Sequence, residues 1–336
     1  MKIVWLILLI LGHTVCHGQS QKINGVSFVA SPDPINQSHI LPLKNNYANW
    51  AAVMPFGFIP SLDNPNLLFD TDRQWWGERS DGTQETISLL QQDGIQVMLK
   101  PQLWVWKGEF TGDIQMNNEK DWLALEARYR KFILTYAKIA SQHQTPILCI
   151  GTELSNFVLK RPLFWEQLIK DIRSVYNGKL TYAANWDTYN KMPFWCELDF
   201  IGIDAYFPIS ENNNPDQETI SLGWQPHKKA IKAVQAANDI PVLFTEYGYR
   251  SVDYAGKAPW ETNQQSGNIN HKIQGDLLQG LFDTFWSENW FAGGFLWKWF
   301  HNHEQVGGLE NNRFTIQNKP AATVVKEHYK TKSLLD

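Results

Sequence analysis

Two glutamates stand at equivalent places in two apolar runs. Ile147-Leu148-Cys149-Ile150-Gly151-Thr152 leads into Glu153, and Pro241-Val242-Leu243-Phe244-Thr245 leads into Glu246. A carboxylate at the end of a buried strand is disfavoured unless it is partnered or used. Two of them facing one another across a shared mouth suit glycoside hydrolysis, in which one carboxyl protonates the leaving oxygen and the other attacks the anomeric carbon. The plainer alternative pairs each glutamate with a cation such as Lys100 or Lys298.

Aromatic and polar residues gather at other strand ends. In Gly293-Gly294-Phe295-Leu296-Trp297-Lys298-Trp299, the period of two puts Trp297 and Trp299 on one face. Trp104 and Trp106 follow Lys100, Trp186 follows Asn185, and Tyr206 follows Asp204, where its hydroxyl is expected to reach the carboxylate of Glu246. Flat indole faces stack on the C–H faces of a pyranose, so these positions suit subsite walls. Other chemistries fit less well. His301-Asn302-His303-Glu304 has metal-ligand residue types, but no further His stands at another strand end, so no metal or organic cofactor is expected. Lys100 as a Schiff-base lysine explains neither the paired glutamates nor the 16 tryptophans. Neither glutamate run contains the turn of a serine nucleophile. A non-catalytic sugar-binding barrel would keep the tryptophans and could dispense with either glutamate.

The elements that must position these residues alternate along the chain. Strand-like runs fall at 23–30, 50–56, 95–103, 146–151, 179–185, 200–206, 240–245 and 293–297. Helical patterns fall between them at 84–92, 120–142, 163–176, 224–237 and 269–290, with weaker ones near 32–46 and 320–330. Trp122, Leu125, Tyr129, Phe132, Tyr136 and Ile139 recur at steps of three and four, the mark of one buried helical face. This alternation predicts an α/β chain folded as a single-domain (β/α)8 TIM barrel. A doubly wound sheet would need a Gly-rich phosphate loop that Gly25-Val26-Ser27-Phe28 does not supply. Long loops at 59–82, 208–223 and 251–267 carry Trp75, Trp76 and Trp260 above the mouth.

A net charge of −4 and the absence of basic runs argue against a nucleic acid partner. Lys2, the apolar run 3–11 and the small residues before a cut after Gly18 read as a secretory signal peptide over residues 1–18, leaving 19–336 as the barrel. A secreted or periplasmic protein without a membrane attachment after cleavage is therefore expected, with a lipid anchor at Cys16 as the weaker alternative because His13-Thr14-Val15 is a poor lipobox; the protein is expected to be a monomer. Cys149 and Cys196 lie in strand-like contexts and are expected to be buried free thiols.

Gly151-Thr152-Glu153, Thr245-Glu246-Tyr247-Gly248-Tyr249, Gly202-Ile203-Asp204-Ala205-Tyr206 and Gly294-Phe295-Leu296-Trp297-Lys298-Trp299 together resemble glycoside hydrolase family 113. The resemblance runs from about Lys22 to the last strand. It implies a retaining mechanism with Glu153 as acid/base and Glu246 as nucleophile, acting without a cofactor on β-1,4-mannan or glucomannan, with another β-linked glycan as the alternative. The acid/base would then be protonated at rest, helped by mutual repulsion, and the nucleophile ionised, helped by hydrogen bonds from groups such as Tyr206. Much of the wider clan has Asn before the acid/base, where this chain has Thr152, which leaves Asn185, Lys100 or Asn156 to hold the substrate 2-hydroxyl.

Overall fold

The apolar runs close into one parallel barrel. The computed structural model describes residues 21–261 and 267–333; the expected signal peptide lies outside them. Ten strands form: β1 (Ile23–Phe28), β2 (Trp50–Val53), β3 (Phe56–Ile59), β4 (Gln96–Leu99), β5 (Gln102–Val105), β6 (Ile147–Thr152), β7 (Lys179–Asn185), β8 (Ile201–Asp204), β9 (Val242–Tyr247) and β10 (Phe291–Trp299). Eight of them make the barrel, in the order β1-β10-β9-β8-β7-β6-β4-β2, while β3 and β5 pair apart as a two-stranded ribbon. The helices are α1 (Gln37–Asn45), α2 (Ser80–Gln92), α3 (Glu119–Gln142), α4 (Ser155–Lys160), α5 (Pro162–Arg173), α6 (Gln217–Asn238), α7 (His271–Phe285) and α8 (Ala321–Ser333). The fold is the expected single-domain (β/α)8 barrel.

Two cores hold it together. Ile23, Ala52, Met98, Ile147, Cys149, Ala183, Phe200, Leu243 and Phe295 fill the barrel interior from successive strands. A larger shell packs between strands and helices. α3 shows how such a helix is set: the Asn118 side chain accepts the Asp121 amide at 3.0 Å, satisfying an otherwise open N-terminal donor. Its Trp122, Leu125, Tyr129, Phe132, Tyr136 and Ile139 are all buried, each burial contributing roughly 1.5–3 kcal/mol. Gly202 is required at the β8 wall, because a Cβ there would stand 2.2 Å from the Tyr182 carbonyl oxygen.

Several expectations change in detail. The strands expected at 50–56 and 95–103 each leave the barrel early, at Val53 and Leu99. A proline follows in each, Pro55 and Pro101, and lacks the N–H to continue the ladder. The chain then resumes as β3 and β5, so Trp104 sits on the ribbon and not at a barrel strand end. α6 begins seven residues before the expected 224, because Asp216 caps it through the Thr219 amide, which shortens the loop that precedes it. Cys149 is buried, whereas Cys196 is exposed because it lies in the short turn Trp195–Glu197 rather than in a strand. Among the described residues, no helix is long and apolar enough to cross a membrane.

Candidate active site

The carboxyl ends of β6, β7, β8 and β9 stand side by side. The Glu153 amide donates to the Ala183 carbonyl at 2.8 Å, Asn185 pairs with Asp204, and Asp204 pairs with Glu246. The glutamate-bearing strands are thereby brought to one mouth of the barrel, as are Asn185 and Tyr206.

Glu246 lies inside β9, 6% exposed. Its Oε1 accepts hydrogen bonds from Lys100 Nζ at 2.5 Å and Gln102 Nε2 at 3.1 Å, and its Oε2 accepts one from the Tyr206 hydroxyl at 2.8 Å. Three donors on two oxygens suit an acceptor-only, ionised carboxylate. Burial, followed by the charge of Glu246, holds the Tyr206 phenol well above its ordinary range, so it stays a donor at neutral pH.

Lys100 is fully buried. Burial disfavours its ammonium, but the charges of Asp204 and Glu246 outweigh that and hold it above the ordinary lysine value. Its Nζ donates to Asp204 Oδ1 at 3.3 Å as well as to Glu246, so this fully buried ammonium is engaged by two carboxyls within the barrel. Asp204 is the member of this group that sequence reasoning passed over. Its Oδ1 also accepts from Thr245 Oγ1 at 2.7 Å, while its buried Oδ2 has no hydrogen-bond partner. Burial, then the charge of Glu246, pushes its carboxyl up to about 7 against the pull of Lys100. The signal was available: an acid ending the apolar run Ile201-Gly202-Ile203 violates the same rule that drew attention to the glutamates. Gln102 was missed because its contact depends on the chain breaking after Lys100.

Glu153 sits one residue beyond β6 with φ +53°, a left-handed conformation that is uncommon for a residue with a side chain. The amide of the next residue, Leu154, donates to the Tyr182 hydroxyl at 2.7 Å and helps pin the turn. Burial raises the Glu153 carboxyl well above its ordinary value, the charges of Asp204 and Glu246 raise it further, and Lys100 only partly opposes them. The surroundings of Glu153 therefore favour its protonated form, whereas Glu246 is addressed by three hydrogen-bond donors. Thr152 Oγ1, one residue before it, is buried without a hydrogen-bond partner.

The tryptophans divide into two groups. Trp122, Trp165, Trp224 and Trp286 are core. Trp186 stacks on Trp260 with ring centroids 4.9 Å apart at 21°, on the β7 side of the mouth. On the β10 side, Trp297 and Trp104 line one cavity, and Gly248 lets the Trp297 carbonyl approach β9, where a Cβ would meet it at 2.6 Å. Trp297 and Trp299 do not share a face. The pairing of β1 with β10 shifts between Leu296 and Trp299, a bulge that breaks the period of two. Trp299 is consequently buried and stacks on His303 at 5.4 Å, while Trp297 stays partly open. His301 meets Ser31 Oγ, and His303 Nδ1 meets Gln317. Among the described residues, no three His, Cys, Asp or Glu side chains converge as a metal site.

A model of Glycoside Hydrolase Family 113 matches residues 33–319. The family 113 β-mannanase AaManA from Alicyclobacillus acidocaldarius, solved in complex with ManMIm, superposes with a TM-score of 0.81 at 22% identity, over 93% of this chain and 98% of its own. A second family 113 β-1,4-mannanase gives 0.78 at 23% identity, over 93% and 99%. A β-glucuronidase from Faecalibacterium prausnitzii gives 0.63 at 15% identity, over 93% of this chain but 49% of its own. At these identities the structural likeness is one of fold. Among curated proteins none matches the chain.

Proposed function

The chain belongs to glycoside hydrolase family 113, and from that premise we propose that it cleaves β-1,4-mannosidic bonds with retention of configuration, using Glu246 as nucleophile and Glu153 as acid/base. The observation that carries this reading is the opposed setting of the two carboxyls: three donors address Glu246, whereas burial and neighbouring anions favour the proton on Glu153. The two solved family 113 proteins described above are β-mannanases, which supports mannan or glucomannan as substrate.

The sequence of events follows from the geometry. Glu153 gives its proton to the glycosidic oxygen as a Glu246 oxygen bonds to the anomeric carbon, so the leaving sugar departs with a new hydroxyl. Lys100, Gln102 and Tyr206 orient the nucleophile and later stabilise the carboxylate that leaves again. Glu153, now an anion, takes a proton from water, whose oxygen displaces Glu246 and restores both groups. No metal or organic cofactor is needed for either displacement. Trp297, Trp104 and Trp186 supply apolar faces along the mouth, and Asn185 offers a polar group beside it. A secreted or periplasmic monomer is part of this proposal, its export supported by the signal peptide reading of residues 1–18; the mass and elution volume of the exported protein test export and oligomeric state.

A panel of β-1,4-linked manno-, glucomanno-, cello- and xylo-oligosaccharides, with products followed by proton NMR, checks reaction and substrate together. Mannose-containing chains are expected to be cut, with the β-anomer appearing first. An α-anomer as first product would overturn the retaining mechanism, and exclusive cutting of cello- or xylo-oligosaccharides would overturn the substrate.

A further inference from the structure

Beside the nucleophile, on the β10 side of the mouth, lies a cavity of about 580 Å³. Its size falls within the roughly 300–1,000 Å³ of small-molecule sites. Trp297 and Trp104 form its aromatic walls, and Phe314, also in its lining, meets the ring of Tyr206 edge-on at 6.0 Å. Its character is set by charge. Lys298, Arg250 and Arg313 line it, and among the described residues in its lining there is no Asp or Glu. Lys298 holds its ammonium over the rings of Trp297 and Phe300, at 5.1 and 5.2 Å, and among the described residues has no carboxylate at ion-pair distance.

Collecting like charges here carries a cost that the groups themselves register. Burial, then the charge of Arg313, weakens the Arg250 guanidinium, with Glu261 opposing. Burial lowers the Lys298 ammonium and Arg313 adds to this, while Glu246 opposes. Behind the wall, Lys319 donates to Ser251 Oγ at 3.0 Å and to the Arg313 carbonyl at 2.7 Å, and burial followed by the charge of Arg250 pushes it down to about 7. A neutral hexose asks only for hydroxyl partners, which uncharged side chains supply without this repulsion. An anion in the cavity would relieve it and gain charge-assisted hydrogen bonds.

We propose that this cavity is a subsite for a sugar bearing an anionic group, a carboxylate or a sulfate ester, held by Lys298, Arg250 and Arg313 against the Trp297 and Trp104 faces. The inference rests on the glycosidase reading and narrows it: the natural glycan carries acidic residues at a fixed place relative to the bond that is cut.

The test offers the full-length mature enzyme equal mixtures of neutral mannohexaose with partially C6-oxidised or partially C6-sulfated mannohexaose. Products are sequenced by mass spectrometry. An acidic chain is expected to be preferred by about tenfold or more, the scale of one or two charged hydrogen bonds. Its charge should recur at one position counted from the new reducing end. Which derivative is preferred separates carboxylate from sulfate. Arg313→Ala should collapse the ratio of acidic to neutral kcat/KM, Arg313→Lys should restore part of it, and added salt should compress it. Cleavage of neutral chains with no preference, or exclusion of the acidic ones, would overturn the subsite and leave the glycosidase reading standing. If no chain is cut, the glycosidase reading fails, and calorimetry of the three hexaoses with Glu246→Gln still decides the subsite: tighter binding of an acidic hexaose supports it, equal or weaker binding ends it.

Discussion

Glu153 and Glu246 occupy matching places in the sequence and opposite places in energy. Both close an apolar strand of the same barrel, yet Glu246 lies within β9 under three donors, while Glu153 lies just past β6 in a left-handed turn, close to two other carboxyls. The difference comes from what faces each from neighbouring strands. The residue just past β4, the start of β5 and the turn beyond β8 send Lys100, Gln102 and Tyr206 towards Glu246. Toward Glu153 the same neighbourhood sends mainly negative charge from Asp204 and Glu246. One motif thus meets two electrostatic settings, because the barrel presents the two positions with different partners.

The sharpest way to break this comparison is to remove each carboxyl in turn. Glu246→Ala is expected to lower kcat on mannan about 10⁴-fold or more, since no covalent intermediate can form. Glu153→Gln should cost about 10²–10⁴-fold, the usual worth of general acid catalysis. The two should diverge on an aryl mannoside with a good leaving group, where the acid is dispensable in the first step: Glu153→Gln recovers glycosylation rate and Glu246→Ala does not. Pre-steady-state release of the aryl group reads this directly, with circular dichroism showing that both variants remain folded. Equal recovery in both would dissolve the assignment of roles.

A smaller effect comes from the donors. Tyr206→Phe removes one hydrogen bond to Glu246 Oε2 and leaves Lys100 and Gln102 on Oε1. A charged hydrogen bond of this kind contributes about 1.5–3 kcal/mol, so kcat/KM should fall roughly 10–100-fold. The loss should be largest in the step that forms the glycosyl-enzyme. An unchanged rate would mean that Tyr206 only packs against Phe314.

How much of this was legible in the residues depends on whether the signal was local. The barrel was, because each strand and helix carries its own period and each buries its own face. The glutamates were, because a charge at the end of an apolar run is conspicuous in one dimension. The Trp297 and Trp299 pair was not, since the bulge that turns Trp299 inward is set by the partner strand β1. Lys100 was legible as a barrel cation, but its burial between Asp204 and Glu246 depends on three strands meeting. The cationic cavity draws Arg250 from beyond β9, Lys298 from β10 and Arg313 from the segment before α8, a convergence with no spacing to announce it.

The mildest perturbation separates the two carboxyls through their shared neighbour. In the proposed mechanism Glu153 must carry a proton to protonate the leaving oxygen, so kcat/KM should decline as pH rises through its pKa, and this alkaline limb should lie well above the ordinary carboxylate range. After burial, the charge of Asp204 is the largest cause that holds Glu153 up. Burial and the charge of Glu246 push the Asp204 carboxyl up to about 7, so its influence should be strongest above neutrality. Asp204→Asn keeps the side chain's size and removes the charge. The Glu153 proton is then less strongly held, and the alkaline limb should move to lower pH, its signature being a displaced profile rather than a uniform loss. A pH series of kcat/KM on mannohexaose, run on the wild type and the variant, measures the shift. A limb that stays in place or moves to higher pH would mean that burial and the charge of Glu246 set the acid, and that the contrast between the two glutamates owes nothing to Asp204.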